Sequence, residues 1–177
     1  IKVMQTRSMQ DADGLIFLSN YACKIILPFL SKKPRFISKI PHGIEPRFFN
    51  DSRQKINKNS NKFFRFLYVS TIDVYKHQLN VAKAIVELRR KNFPVCIDFI
   101  GGAYKPEKNR LLKYFRDVDP DKLFLHYRGE ISFEELHDVY TSSEAFVFAS
   151  SCENLPNILI EAMASGLPIA CSNEAGI

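Results

Sequence analysis

The sequence predicts an α/β protein built on a doubly wound, Rossmann-like parallel sheet. Short runs of apolar, β-branched and aromatic residues alternate along the chain with stretches in which apolar residues recur at helical spacing. This alternation is typical of parallel strands joined by helices that cover both faces of a sheet. The composition agrees with it, because 46% of the 177 residues are hydrophobic and 25% are charged, as in ordinary globular proteins.

The first part of the chain predicts a strand, a helix and a second strand. These elements are a strand at 15–18, a helix from Ser19 or Asn20 to Leu27, and a strand at 36–40. A polar stretch rich in Asn, Lys and Ser follows, and we interpret 46–62 as a linker. The linker separates a strand–helix–strand segment within 1–45 from a larger domain at 63–177.

The larger domain predicts five strands and four helices. The strands are at 66–69, 95–100, 123–127, 145–148 and 168–171, and the helices are at 76–91, 107–118, 133–140 and 156–165. Open parallel sheets bind ligands beyond the carboxyl ends of their strands. We therefore expect a ligand to contact the loops that follow the strands, namely 70–75, 101–106, 128–132 and 150–155.

The net charge of the chain is +6, which favours anionic partners without distinguishing among them. A phosphate-bearing small molecule, a nucleic acid and an anionic membrane surface all fit. If the chain were a nucleic-acid-binding module, five basic residues would hold the nucleic acid, namely Arg53, Lys55, Lys58, Lys62 and Arg65. They lie mostly in the predicted linker without interleaved stacking aromatics, so a solvated loop is the favoured interpretation. The four cysteines lack paired spacing and predict buried free thiols in a reducing cytosol.

The predicted helix at 156–165 carries one carboxylate in an apolar sequence. Pro156 suits its first turn, and Gly166 and Pro168 end it. Every residue from 158 to 164 except Glu161 is apolar, so Glu161 is expected to be buried and to need a hydrogen-bond donor. That donor is either a Lys or Arg side chain or the hydroxyl pair of a ligand.

Two further charged residues lie near predicted helix starts. Glu153 precedes the helix at 156–165, where unpaired backbone N–H groups would attract a phosphate. Alternatively, Glu153 only complements the helix dipole and Asn154 caps the helix. Lys76 opens the predicted helix at 76–91, where a cation is unfavourable for the helix itself. This suggests a bound anion, and a solvated surface lysine is the alternative.

Glu153, seven residues, Glu161 and then Ala-Met-Ala-Ser-Gly-Leu-Pro together resemble the glutamate-pair signature of group 1 glycosyltransferases. This is a large retaining family with the two-domain GT-B fold. The likeness extends along most of the chain. Ala12-Asp13 with 15–19 resembles the last strand of the family's first domain, and 40–45 resembles its interdomain joint. Lys76 falls where the family has a diphosphate-binding lysine, and 127–131 resembles the loop beside the nucleobase. The sequence departs from the family pattern where Ser70-Thr71 replaces a Gly-Arg pair and His77 replaces a Gly.

The resemblance implies a site for a nucleotide-diphosphate sugar. Lys76 and Glu153 would be catalytic, with Lys76 neutralising the departing diphosphate and Glu153 holding the hydroxyls of the transferred sugar. Glu161 would hold the ribose. The other implied donor-binding residues are Ser70, Thr71, Arg128, Gly129, Ile131, Asn154, Leu155, Pro156 and Asn157. No metal or other cofactor is implied. Because Thr71 stands where the family has an arginine, one phosphate-facing charge is either missing or supplied by another residue such as Arg128 or Lys105.

The resemblance also implies a domain organisation. Residues 1–45 would end an acceptor-binding domain, and 63–177 would be most of the donor-binding domain, so we expect the chain alone to be inactive. The acceptor would be a glycan or a lipid-linked saccharide, as in polysaccharide biosynthesis. No nucleic acid is expected, and the location would be cytoplasmic, with the inner face of a membrane left open. A nucleotide-sugar epimerase of the same fold is the alternative enzyme.

Overall fold

The computed structural model describes residues 2–49 and 63–174, and the described residues form two compact units. The first unit contains the described residues up to Gly43, together with Cys152–Pro156 and 173–174. The second contains the described parts of Ile44–Ser151 and Asn157–Ser172. Most of the predicted linker, 50–62, lies outside the described residues.

The first unit holds two parallel strands and two helices. The elements are α1 (Lys2–Asp11), β1 (Gly14–Phe17), α2 (Asn20–Ile26) and β2 (Phe36–Lys39). Gly14 pairs with Phe36 and Phe17 with Lys39. Ser19 caps α2, because its Oγ accepts a hydrogen bond of 3.1 Å from the Ala22 N–H. The predicted strand–helix–strand is therefore present, and α1 precedes it without having been predicted.

The second unit is built on a five-stranded, wholly parallel sheet, which confirms the predicted fold class. Its strands are β3 (Phe64–Val69), β4 (Val95–Ile100), β5 (Leu125–Gly129), β6 (Ala145–Phe148) and β7 (Ile169–Cys171). The spatial order is β5-β4-β3-β6-β7. All six residues of β4 are buried, as expected for a parallel strand covered on both faces.

Four helices connect these strands, each beginning or ending within a few residues of its predicted bounds. They are α3 (Gln78–Arg90), α4 (Lys105–Val118), α5 (Phe133–Thr141) and α6 (Asn157–Ala164). Aromatic rings from strands and helices form much of the core. For example, Phe99 of β4 lies 5.8 Å from Phe115 of α4, and Phe146 of β6 lies 5.8 Å from Tyr140 of α5, between ring centroids.

Two local structures differ from the sequence-based expectation. Helix α3 begins at Gln78 rather than at Lys76, because Val74–Lys76 forms a 3-10 turn and His77 has a left-handed backbone with φ of 55°. The predicted linker begins with another 3-10 turn, Pro46–Phe48. Its Phe48 is 1% exposed and packs against the rings of three residues of α5. Those residues are Phe133, His137 and Tyr140.

The sheet reverses its order of strands between β3 and β6. From β3 the chain proceeds outward to β4 and β5, and it then returns to β6 on the other side of β3. In doubly wound sheets a crevice opens at such a switch point, beyond the carboxyl ends of the two strands. The segments that follow β3 and β6 are therefore where a ligand is expected.

Candidate functional site

The segment that follows β3, residues 70–77, is held by a buried glutamine, and we call it the β3 loop. Gln78 donates hydrogen bonds of 2.9 Å to Ser70 Oγ and to the Thr71 carbonyl oxygen. The Asp73 N–H donates a longer bond, of 3.4 Å, to Gln78 Oε1. Because Gln78 and Ser70 are both buried, these bonds fix the start of the loop.

The start of the β3 loop also lies against the turn after β4. Gly101 has a φ of +132°, a backbone conformation that side chains other than hydrogen rarely allow. A Cβ atom at this position would lie 2.5 Å from the Ser70 carbonyl oxygen. The glycine therefore permits a close approach of backbone to backbone beside two of the predicted donor-binding residues, Ser70 and Thr71.

Gly101→Ala should destabilise the second unit by about 2–3 kcal/mol, since it combines a strained φ with a clash against backbone. Chemical denaturation followed by circular dichroism measures this loss. Gly43→Ala is the matched control, because a Cβ at Gly43 would meet no heavy atom within 4 Å and its φ is not positive. Equal stabilities of the two variants would contradict the importance of the close approach.

Lys76 is buried at the end of the β3 loop, with its ammonium group beside two aromatic rings. Its Nζ atom lies 5.0 Å from the Tyr75 ring centroid and 5.3 Å from that of Phe148 on β6. Both distances are within the range of cation–π attraction. The alternative of a solvated surface lysine is therefore wrong. A cation in such a low-dielectric position interacts strongly with any anion that reaches it.

Hydrogen bonds join the β3 loop to the segment after β6. The buried Tyr68 hydroxyl donates a bond of 2.5 Å to the Lys76 carbonyl oxygen and accepts one of 3.2 Å from the Ala149 N–H. The Ser151 N–H donates to the Tyr75 carbonyl oxygen at 2.9 Å. His77 Nε2 lies 2.9 Å from Ser151 Oγ. The two segments at the switch point are thus held together on both sides of Lys76.

Glu161 is buried on α6, as predicted, and its hydrogen-bond donor is Tyr140 of α5. The Tyr140 hydroxyl donates to Glu161 Oε2 at 3.1 Å. Burial raises the pKa of Glu161, and the nearby Glu45 carboxylate adds to the rise. The Tyr140 hydrogen bond and the positive charge of Arg47 oppose it. The protein donor is therefore a phenol and not the predicted Lys or Arg side chain, whereas hydrogen bonds from the hydroxyl pair of a ligand stay a prediction.

The charged residues beside Glu161 come from the 3-10 turn at Pro46–Phe48. Arg47 forms an ion pair of 2.8 Å with Glu45, and its guanidinium carbon lies 4.0 Å from the Phe133 ring centroid. Arg47 Nε is buried without a hydrogen-bond partner. Glu45 and the turn that follows it thus place one acid and one base near the carboxylate of α6, and the interpretation of 46–62 as a linker did not anticipate the position of Arg47.

The predicted nucleobase loop follows β5. The Gly129 carbonyl oxygen accepts a hydrogen bond of 2.8 Å from the Gly101 N–H, which brings this loop beside the turn that touches Ser70. Ile131 is half-buried. Just after it, Ser132 and Glu135 form a capping box that starts α5. Three loops at the carboxyl edge, those after β3, β4 and β5, therefore meet through their backbones.

Arg128, at the end of β5, lies beside a buried acid of the neighbouring strand. Its Nη1 lies 3.5 Å from Oδ2 of Asp98, which is buried in the middle of β4. Asp98 also accepts from Arg65 at 2.9 Å and from His126 at 2.8 Å. Arg128 therefore has an internal partner, and its prediction as a donor ligand gains no support from this contact.

The residues just before α6 belong to the first unit. Glu153 is half-buried there, and Asn154 Oδ1 accepts a hydrogen bond of 2.5 Å from Ser19 Oγ. Leu155 and Pro156 complete this segment, and α6 itself begins at Asn157. The Asn154 side chain is thus engaged by Ser19, the cap of α2. The predicted roles of Glu153, Asn154, Leu155, Pro156 and Asn157 stay predictions.

The cysteines and helices bear on the remaining expectations. All four cysteines are free thiols, but only Cys96 is buried, while Cys152 and Cys171 are exposed. The expectation that they are buried is therefore wrong for these two.

Among the helices within 2–49 and 63–174, none has the length and apolar character needed to cross a membrane.

A family model decides how these features relate to known proteins. The model for glycosyl transferases of group 1 matches residues 48–177, which is most of the chain. The chain belongs to this family. The group 1 resemblance drawn from the two glutamates and Lys76 is thereby confirmed at the level of the family.

Two curated proteins are similar in sequence to this member of the group 1 family. Sulfoquinovosyl transferase SQD2 of Arabidopsis thaliana is 29% identical over 137 residues, covering 76% of this chain and 24% of the relative. The UDP-Gal:alpha-D-GlcNAc-diphosphoundecaprenol alpha-1,3-galactosyltransferase of Escherichia coli is 28% identical over 171 residues, covering 92% and 43%. The chain therefore spans less than half the length of either relative.

Solved structures share the fold of the group 1 chain. Anabaena HepE in complex with UDP and glucose has a TM-score of 0.81 at 14% identity, covering 99% of this chain and 48% of that one. The pneumococcal O-GlcNAc transferase GtfA in complex with UDP and GlcNAc has a TM-score of 0.77 at 20% identity, covering 97% and 32%. At these identities the likeness shows the fold, which is that of GT-B glycosyltransferases.

Proposed function

We propose that the chain is part of a retaining hexosyltransferase that transfers a sugar from a nucleotide-diphosphate donor to a glycan or lipid-linked acceptor. One observation carries the proposal. Lys76 and Glu161, both charged and both buried, lie on the segments that follow β3 and β6, the strands between which the sheet reverses. The carboxyl ends of two strands at such a reversal are the place where this kind of fold binds ligands.

The donor's diphosphate is proposed to meet positive charge from two sources. Lys76 supplies an ammonium group, and the first N–H groups of α6, beginning at Asn157, supply partial positive charge. When the bond from the anomeric carbon to the diphosphate breaks, its electron pair leaves with the diphosphate. Fixed positive groups stabilise that developing charge without having to reorganise. The proposal includes no metal or other cofactor.

The rest of the donor is assigned to carboxylates and loops. Glu161 accepts hydrogen bonds from the ribose hydroxyls, and Glu153 from the hydroxyls of the transferred sugar. Ser70 and Thr71 lie along the diphosphate, and Gly129 and Ile131 contact the nucleobase through the loop after β5. This assignment is supported by the backbone hydrogen bond between Gly129 and Gly101 and by the close approach of Gly101 to Ser70. Arg128 is retained only as a residue flanking this loop.

A uridine nucleotide is the proposed donor, and a lipid-linked saccharide is the proposed acceptor. The support is that HepE and GtfA are complexed with UDP. In addition, the name of the E. coli relative specifies UDP-Gal and a diphosphoundecaprenol acceptor. Because the chain covers under half of that relative, the acceptor is proposed to bind a domain to which residues 1–45 belong. A cytoplasmic reaction at the inner face of a membrane fits such an acceptor.

Glu161→Ala should raise the KM for the nucleotide-sugar by about tenfold or more, because it removes charged hydrogen bonds to the ribose. The measurement is the initial rate of sugar transfer by the complete protein at varied donor concentration. Met163→Ala is the matched control on the same helix, because Met163 is exposed. An unchanged KM in Glu161→Ala would contradict the assigned role.

The products of the same reaction test the reaction type and its stereochemistry. A glycosyltransferase releases the nucleoside diphosphate and gives a glycosylated acceptor, whereas an epimerase leaves the sugar linked to the nucleotide. Proton NMR of the first product, recorded before the anomers equilibrate, reports the new linkage. An α-linked product from an α-linked donor would support retention, and a β-linked product would overturn it.

A further inference from the structure

Tyr140 is held in one orientation by aromatic neighbours. Its side chain is fully buried, and its ring centroid lies 5.8 Å from that of Phe48 in the 3-10 turn and 5.8 Å from that of Phe146 on β6. The first contact is edge-on and the second is tilted. Because two different elements pack on the ring, its position does not depend on α5 alone.

The Tyr140 hydroxyl has two acceptors on α6 and one proton to donate. Its oxygen lies 3.1 Å from the Ile158 carbonyl oxygen and 3.1 Å from Glu161 Oε2. An ionised carboxylate is a stronger acceptor than a helix carbonyl, so ionised Glu161 attracts the proton. The bond occupies Oε2, and a carboxylate has further lone pairs on its second oxygen. A rigid donor on Oε2 therefore fixes the direction in which Oε1 can accept.

The surroundings make this hydrogen bond important for the charge of Glu161. Burial and the Glu45 carboxylate raise its pKa, whereas Tyr140 and Arg47 lower it. Within the part of the chain that the structure describes, Tyr140 alone among these three residues donates a hydrogen bond directly to the Glu161 carboxylate. Its own pKa is raised by burial, so it stays a protonated donor at neutral pH.

We propose that Tyr140 is a positioning residue for ribose recognition, because its hydroxyl holds Oε2 of Glu161 and leaves Oε1 directed to accept from the ribose hydroxyls. This inference rests on the proposed function, in which Glu161 contacts the ribose. It adds a residue of α5, 21 positions before Glu161, to the determinants of donor specificity. Tyr140 itself need not touch the donor.

The test compares the binding of UDP and 2′-deoxy-UDP to the complete protein by calorimetry. The wild type should bind UDP about tenfold more tightly, since one hydrogen bond to a charged group distinguishes the two nucleotides. Glu161→Ala should bind both equally. Tyr140→Phe, which keeps the ring and its aromatic contacts, should reduce the preference to about threefold or less. Circular dichroism confirms that each variant is folded.

Tyr68→Phe is the matched control, because Tyr68 is also a buried tyrosine whose hydroxyl makes two backbone hydrogen bonds in the same unit. It should weaken both nucleotides by the same factor and leave their ratio at the wild-type value. A merely structural effect of removing a buried hydroxyl would change Tyr140→Phe and Tyr68→Phe alike.

The outcomes separate the inference from the proposed function. If the wild type binds neither nucleotide, or binds both equally, the assigned role of Glu161 fails, and the inference fails with it. If the wild type prefers UDP, Glu161→Ala abolishes the preference and Tyr140→Phe keeps it in full, the proposed function stands and the inference is overturned. A preference lost in Tyr140→Phe and kept in Tyr68→Phe supports both.

Discussion

Replacing Lys76 by Met is expected to slow sugar transfer by about 10²–10³-fold, the loss typical of removing one group that stabilises developing negative charge. Met retains most of the volume of the lysine stem. The change removes the ammonium charge and, with it, the cation–π contacts that Nζ makes with the Tyr75 and Phe148 rings. Initial rates at saturating donor, measured with the complete protein, give the effect on kcat.

Lys83→Met is the control for this change, because Lys83 is exposed on α3 and its replacement alters the net charge by the same amount. Its rate should stay within about twofold of wild type, as expected for an exposed charge that water and salt screen. Thermal unfolding shows whether both variants are folded. A folded Lys76→Met enzyme with a near-normal rate would remove Lys76 from the proposed mechanism.

The strands were the most predictable elements, because a parallel strand covered on both faces is apolar along most of its length. Val95–Ile100 and Ala145–Phe148 have the predicted bounds. The start of α3 was not predictable in the same way. His77 adopts a left-handed backbone, which is uncommon for residues other than glycine, and its ring is hydrogen-bonded to Ser151 from a distant part of the chain.

The candidate site was predictable as a set of charged residues but not as a set of contacts. The apolar sequence around Glu161 predicts a buried carboxylate that needs a donor, and it is buried with one. The identity of that donor depends on how α5 packs against α6, which local sequence does not specify. Likewise, Arg128 follows a predicted strand, but its pairing with Asp98 depends on the register of β4 and β5.

Asp98→Asn is expected to destabilise the second unit by about 3 kcal/mol, because it breaks a buried ionic cluster by removing one partner. Asp98 is 2% exposed and accepts hydrogen bonds from Arg65 and His126. His126 in turn lies 3.1 Å from the Lys122 carbonyl oxygen through its other ring nitrogen. Both neighbours of the ring are acceptors, so only the doubly protonated imidazolium satisfies both. Chemical denaturation at pH 5 measures the loss.

The cluster also predicts how stability depends on pH. Burial favours protonated Asp98, but the hydrogen bonds from His126 and Arg65 prevail and lower its pKa below the ordinary 3.8. The bond to Asp98 raises the pKa of His126 above 6.5, although burial opposes this. The contribution of Asp98 is therefore lost as pH falls through its lowered pKa. That of His126 is complete below 6.5 and is lost as pH rises through its raised pKa.

The difference in stability between wild type and Asp98→Asn should therefore be largest from about pH 4 to 6.5. It should shrink toward higher pH, because His126 of the wild type then loses its proton and no longer forms an ion pair with Asp98. Glu87→Gln is the matched control: it removes a carboxylate from an ion pair with Arg90 in which both side chains are mostly exposed. Such pairs contribute about 0–1 kcal/mol. A difference for Asp98→Asn that is as small as for Glu87→Gln, or constant with pH, would mean that the cluster is not held by an ionised pair.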